Sequence, residues 1–264
     1  MRGWMSAAAV AACGIMVGNA EATSVVTLDW QGYVGGSIKT NLGNRNAGLM
    51  RWSQSAGDAV SVNLTDVTKK SGGGTITGFL AFCIEPLESL HNGGNEFAVL
   101  EPEQAPNKPA PMGAIRAENM GKLFEVGFLG TSEDDWKVNG SFDMNYIKAF
   151  QLAVWEVVNE AVVNGMQTLN ILKGDTADRG GFYSNYSDSH AIASLSQSLL
   201  DQAMASDTSA NLIAFGAPFE DVTRRSQDQI TLSSTPPAPP MVPTPAAAAA
   251  GLLGLAGLAG RRGR

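Results

Sequence analysis

Ile76-Thr77-Gly78-Phe79-Leu80-Ala81-Phe82-Cys83-Ile84-Glu85 is the stretch that decides how this chain folds. It reads as a β-strand, rich in aromatic and branched residues and preceded by Gly72-Gly73-Gly74. Phe79, Ala81 and Cys83 fall on one face, and Leu80, Phe82 and Ile84 on the other. A strand that is apolar on both faces is covered on both. Other β-rich runs surround it at 24–30, 49–52, 60–64 and 97–100, with Gly35-Gly36 as a further break. No helical pattern alternates with these runs. They therefore predict an antiparallel barrel or sandwich rather than βαβ units.

Beyond a Pro-rich loop at 102–111, the pattern changes to helical at 112–128, 143–161 and 189–204. Ile115, Met120, Leu123 and Phe124 are the inward residues of the first; Ile192, Leu195, Leu199 and Leu200 are those of the third. Two β-runs follow, at 210–215 and 228–232. The expected fold is α+β: an antiparallel β barrel or sandwich with an inserted part of about three helices, returning to β strands. Residues 23–232 make up this domain.

The middle helix carries an anomaly. Ile147, Phe150, Val154 and Val158 form its apolar stripe and Trp155 widens it, yet Gln151 sits in the middle of that face. A buried primary amide whose hydrogen bonds go unmade costs roughly 1–3 kcal/mol. Leu would serve better there unless the amide is used.

Both ends read as addresses. Residues 1–22 combine a positive start, an apolar core and Ala20-Glu21-Ala22, the form of a secretory signal peptide. A competing reading takes Val10-Ala11-Ala12-Cys13 as a lipoprotein box, though few apolar residues precede it and more follow it. Residues 233–245 are a stiff Pro-rich spacer around Pro236-Pro237-Ala238-Pro239-Pro240. Residues 246–264 are a small-residue apolar segment ending in Arg261-Arg262-Gly263-Arg264. A helix over 246–260 would be about 22 Å long, short of a hydrocarbon core of about 30 Å. It suits transient membrane association. Motif, apolar stretch and arginines together resemble the PEP-CTERM sorting signals, with Thr244 where that family usually has glutamate. The resemblance implies an exosortase-like sorting enzyme as a partner, after signal peptidase. It also implies export to the cell surface, the outer envelope or an extracellular matrix.

Net charge is −7, and loss of residues 1–22 leaves it unchanged because one arginine and one glutamate go together. An acidic domain is a poor partner for nucleic acid. His91 and His190 stand far apart with no cysteine pair near either, so no metal or other cofactor is expected. Neither a G-x-S-x-G nor an H-E-x-x-H motif occurs.

Without its leader the chain keeps a single cysteine, Cys83, so no internal disulfide is possible. A thiol and a carboxamide buried together can condense, lose ammonia and leave a thioester. Glu85, Glu156, Asn159 and His190 are candidates to move the thiol proton, and Trp155 is a candidate to keep water away. Phe82-Cys83-Ile84 in a strand, followed by Gln151-Leu152-Ala153-Val154-Trp155 in a helix, resembles the bacterial thioester domains of surface adhesins. Phe150 stands where that family often has threonine before the glutamine. The resemblance implies that Cys83 and Gln151 are joined as an internal thioester. A nucleophile on a target surface, an amine or a hydroxyl, opens it once per molecule. The chain would then be a covalent binder with an adhesion or matrix role, not an enzyme. The alternative is a non-reactive structural or matrix surface protein with a buried free cysteine.

Overall fold

The computed structural model describes residues 24–69, 75–88, 94–106, 110–132, 136–138, 141–172, 181–187, 190–217 and 226–235. Both terminal segments, Gly72-Gly73-Gly74 and His91 lie outside these. Among the described residues no helix is long and apolar enough to cross a membrane.

The chain opens with a long hairpin, β1 (Val25–Thr40) and β2 (Gly43–Gly57), paired from Val26↔Gly57 to Thr40↔Gly43. The break expected at Gly35-Gly36 does not occur: Gly35 pairs with Gly48 and Gly36 with Ala47 inside the ladder. Glycine serves close approach here, not a turn. A Cβ on Gly48 would stand 2.1 Å from the Val34 carbonyl oxygen, and one on Gly36 would stand 3.0 Å from Lys148 Nζ. The strand expected at 60–64 is also absent; Val62 makes one isolated bridge to Ser233, and the strand is instead β3 (Thr65–Lys69).

Next come β4 (Thr75–Cys83) and β5 (Gly94–Leu100). The inserted part holds α1 (Gly113–Phe124), the short hairpin β6 (Lys137–Val138) and β7 (Ser141–Phe142), and α2 (Met144–Asn159). A second short hairpin, β8 (Val162–Val163) and β9 (Met166–Gln167), precedes α3 (Ala191–Ala205). The chain returns to the sheet with β10 (Leu212–Gly216) and β11 (Gln229–Leu232). The strands run in the order β11-β10-β5-β1-β2-β4, all antiparallel. β4 pairs in turn with β11, which closes a six-stranded barrel, and β3 adds to β4 beside β11. This is the α+β architecture expected, in its barrel form.

β4 is indeed covered on both faces. Phe79 meets Phe215 at 5.2 Å between ring centroids, and Trp52, Phe97 and Phe215 continue the contact. Rings from four strands that touch one another fill the barrel interior. On the outer face Phe82 packs against Phe124, Phe128 and Phe150, the last at 4.7 Å. The helices thus lie on the outside of the β4 wall.

Two local devices position α2. Asp143 caps its N-terminus, its carboxylate accepting from the amides of Asn145 at 2.8 Å and Tyr146 at 3.3 Å. At its other end Arg116 donates to the Glu160 carbonyl, while Gln167 donates to the carbonyls of Val157 and Glu160 and is itself held by Asn119. A π-helical turn at Glu125–Leu129 follows α1 and brings Gly127 against Phe150. The freed Gly127 carbonyl accepts from the Tyr146 hydroxyl at 2.7 Å. α2 is buried over more than the predicted face: Leu152, Ala153 and Glu156 are enclosed along with Ile147, Phe150, Gln151, Val154 and Trp155. Val158 is only half-buried.

Candidate functional site

Cys83 is the last residue of β4, at the point where the barrel closes. In the ladder Gln229 of β11 stands opposite it, and Ile230 opposite Phe82. α2 crosses outside this strand end and delivers Gln151. The Gln151 carboxamide Nε2 donates to the Cys83 main-chain carbonyl at 2.7 Å. Cys83 is 1% exposed and Gln151 0%. The other carboxamide atom, Gln151 Oε1, is buried without a hydrogen bond.

The thiol donates to the Glu85 carbonyl at 3.2 Å. Burial pushes it well above its ordinary titration range. The Glu85 main chain and the Trp155 indole act in the opposite direction, and the negative charges of Glu85 and Asp228 add to the rise. The indole N–H of Trp155 is close enough to favour the thiolate but meets no partner at hydrogen-bond geometry. The sulfur is therefore held as a neutral thiol. Such a thiol needs a proton acceptor before it can act as a nucleophile, and its burial keeps water away from it.

Of the supporting residues expected from sequence, Glu85 and Trp155 surround the thiol. The Glu85 carboxylate accepts the Asp228 amide at 2.8 Å, which ties the segment after β4 to the start of β11. Glu156 is fully buried, and its carboxylate accepts the Asn170 amide at 2.9 Å, holding the loop after β9. Asn159 donates back to the Trp155 carbonyl at 2.8 Å. His190 is exposed and employed elsewhere. Its Nδ1 accepts the Ile192 amide as the N-cap of α3, and its ring stacks on Tyr186 at 4.0 Å.

Three residues of the site escaped the sequence reading. Gln227, Asp228 and Gln229 are all buried beside Cys83 and Glu85. Gln227 donates to the carbonyls of Glu85 and Glu88; Asp228 accepts the Ala217 amide at 2.7 Å; Gln229 donates to the Gln227 carbonyl. The available signal was the polar run Ser226-Gln227-Asp228-Gln229 leading into Ile230-Thr231-Leu232. Among the described residues no group of three or more His, Cys, Asp or Glu could hold a metal ion.

No protein family, curated protein or solved structure matches this chain.

Proposed function

We propose that the chain carries an internal thioester between Cys83 and Gln151 and uses it once, to attach itself covalently to amine or hydroxyl groups on a target surface. The observation that carries this reading is the meeting of the two side chains' residues: the one glutamine of the α2 core has its carboxamide on the end of β4, at the cysteine. In forming the bond, Cys83 Sγ attacks Gln151 Cδ, the C–N bond breaks, and the thiol proton leaves with the nitrogen as ammonia. A target amine then attacks the same carbon. The C–S bond breaks, the amine's proton passes to sulfur, and an amide remains on residue 151. This is a single event, so the chain acts as a binder. In the same proposal residues 1–22 direct export, and an exosortase-like enzyme processes the tail at the cell surface or in a matrix.

One observation favours a second reading, a non-reactive surface or matrix protein. The Gln151–Cys83 hydrogen bond is also what a simple cap on a strand end would make. A cap leaves Oε1 without a role, whereas the thioester reading uses the whole carboxamide. Incubation with a biotinylated primary amine separates the two. The thioester reading predicts label on residue 151 and one new titratable thiol on Cys83. Burial makes this labelling slow under native conditions and faster in low urea, as local opening admits the amine. Absence of label together with a Cys83 thiol that titrates on unfolding, with no amine added, supports the cap.

A further inference from the structure

We infer that the Trp155 indole N–H is the hydrogen-bond donor to the acyl oxygen of the Cys83–Gln151 thioester and to the oxyanion through which that bond forms and opens. The inference rests on the thioester reading and assigns Trp155 a part beyond shielding.

It starts from two buried atoms that lack hydrogen bonds, Gln151 Oε1 and Trp155 Nε1. Both residues are fully buried on α2. They are four positions apart, hence neighbours on one face of the helix. One is an acceptor without a donor and the other a donor without an acceptor, a costly combination in an apolar setting. Gln151 Nε2 is fixed on the Cys83 carbonyl, and the Trp155 indole flanks the Cys83 sulfur.

Trp30, Trp52 and Trp136 also bury an indole N–H without a partner, so a lone N–H is not the argument. Trp155 differs because the chemistry would carry an unsatisfied acceptor onto the sulfur it flanks. Gln229 Oε1 is a further buried acceptor without a partner near Cys83, but it is not the oxygen on which charge develops.

When Sγ attacks Cδ, the carbonyl electron pair moves onto Oε1. Collapse of this oxyanion expels the nitrogen, which leaves as ammonia with the thiol proton. Oε1 remains as the acyl oxygen on a carbon now bonded to sulfur. Opening by an amine passes through the same oxyanion before the C–S bond breaks. A fixed N–H aimed at that oxygen lowers both barriers, and in enzymes a single donor of this kind is worth about 10²–10³ in rate.

The test uses the mature full chain and Trp155→Phe, which keeps an aromatic ring in place and removes the N–H. Methylamine opening is followed by mass, and the thioester carbonyl stretch by infrared spectroscopy with ¹³C-labelled glutamine. The expected result is opening slowed about 10²–10³-fold, with the carbonyl band shifted to higher frequency. Wild-type rates and an unshifted band in a Trp155→Phe chain that has formed the thioester would overturn the role of Trp155 alone. A wild-type chain that has lost no ammonia overturns the thioester and this role with it. A measurement independent of the Trp155 variant compares the Trp155 indole proton by NMR in wild type and in Cys83→Ala. It should move downfield where the thioester is present, and an unchanged shift counts against the donor.

Discussion

The barrel interior and the seam where the barrel closes are buried to the same degree and built from opposite materials. In the interior Trp52, Phe79, Phe97 and Phe215 meet ring to ring from four strands. Four residues along β4 from Phe79, about 13 Å, the seam encloses Cys83, Glu85, Gln151, Gln227, Asp228 and Gln229. The interior demands volume and shape, which other apolar side chains could supply, and its one polar atom among these rings, the Trp52 indole N–H, goes without a partner. The seam demands particular groups, because each buried polar atom needs a partner. Most have one: Glu85 takes the Asp228 amide and Asp228 takes the Ala217 amide. Gln151 Oε1 and Gln229 Oε1 have none. Gln151 stands apart because its incompletely bonded carboxamide is also fixed on the main chain of the cysteine.

Four experiments sharpen or break this contrast. The largest effect should come from cutting the proposed crosslink. Cys83 and Gln151 are 68 positions apart, and closing a loop of that length contributes about 4 kcal/mol. Methylamine treatment or Gln151→Leu should therefore lower the urea midpoint while leaving the interior unaltered. An unchanged midpoint would mean the seam carries no covalent link. Next is a pH effect confined to the uncrosslinked form. In Gln151→Leu the thiol stays free, and burial holds its folded pKa above the unfolded value. Its contribution to stability is complete below about pH 8.5 and is lost above that, by up to about 1.4 kcal/mol per pH unit. Urea curves at neutral and alkaline pH should show this slope in the variant and not in wild type, where a sulfur acylated as proposed has no proton to lose. Asp143→Ala removes the cap that sets the start of α2 and should cost about 1 kcal/mol by thermal or urea denaturation. The smallest effect is a null one. Gln229→Leu should leave the ammonia loss intact, whereas its disappearance would make the carboxamide opposite Cys83 the acyl partner.

Much of this was legible in the sequence, and the reason differs from element to element. Strand β4 was legible because it is apolar on both faces, which only a two-sided burial explains. α2 and its odd glutamine were legible because a helix shows its period over a few turns. The long hairpin was cut short in the reading because Gly35-Gly36 looks like a turn. Nothing local shows that Gly48 and Ala47 lie opposite and keep the ladder going. His190 drew attention as a titratable side chain, although its ring serves as a helix cap and stacks on Tyr186. Asp228 and Gln229 read only as the start of a strand, because their importance comes from pairing with the end of β4. The Glu85–Asp228 contact joins positions 143 apart in the chain. Long-range register of that kind leaves no local pattern.

The central claim is a bond, and the intact mass of the mature domain reports on it directly. With the thioester formed, the mass should lie one ammonia below the sequence value, and that loss should be absent in both Cys83→Ala and Gln151→Ala. An unmodified wild-type mass, with Cys83 labelled stoichiometrically by a thiol reagent after unfolding, would contradict it.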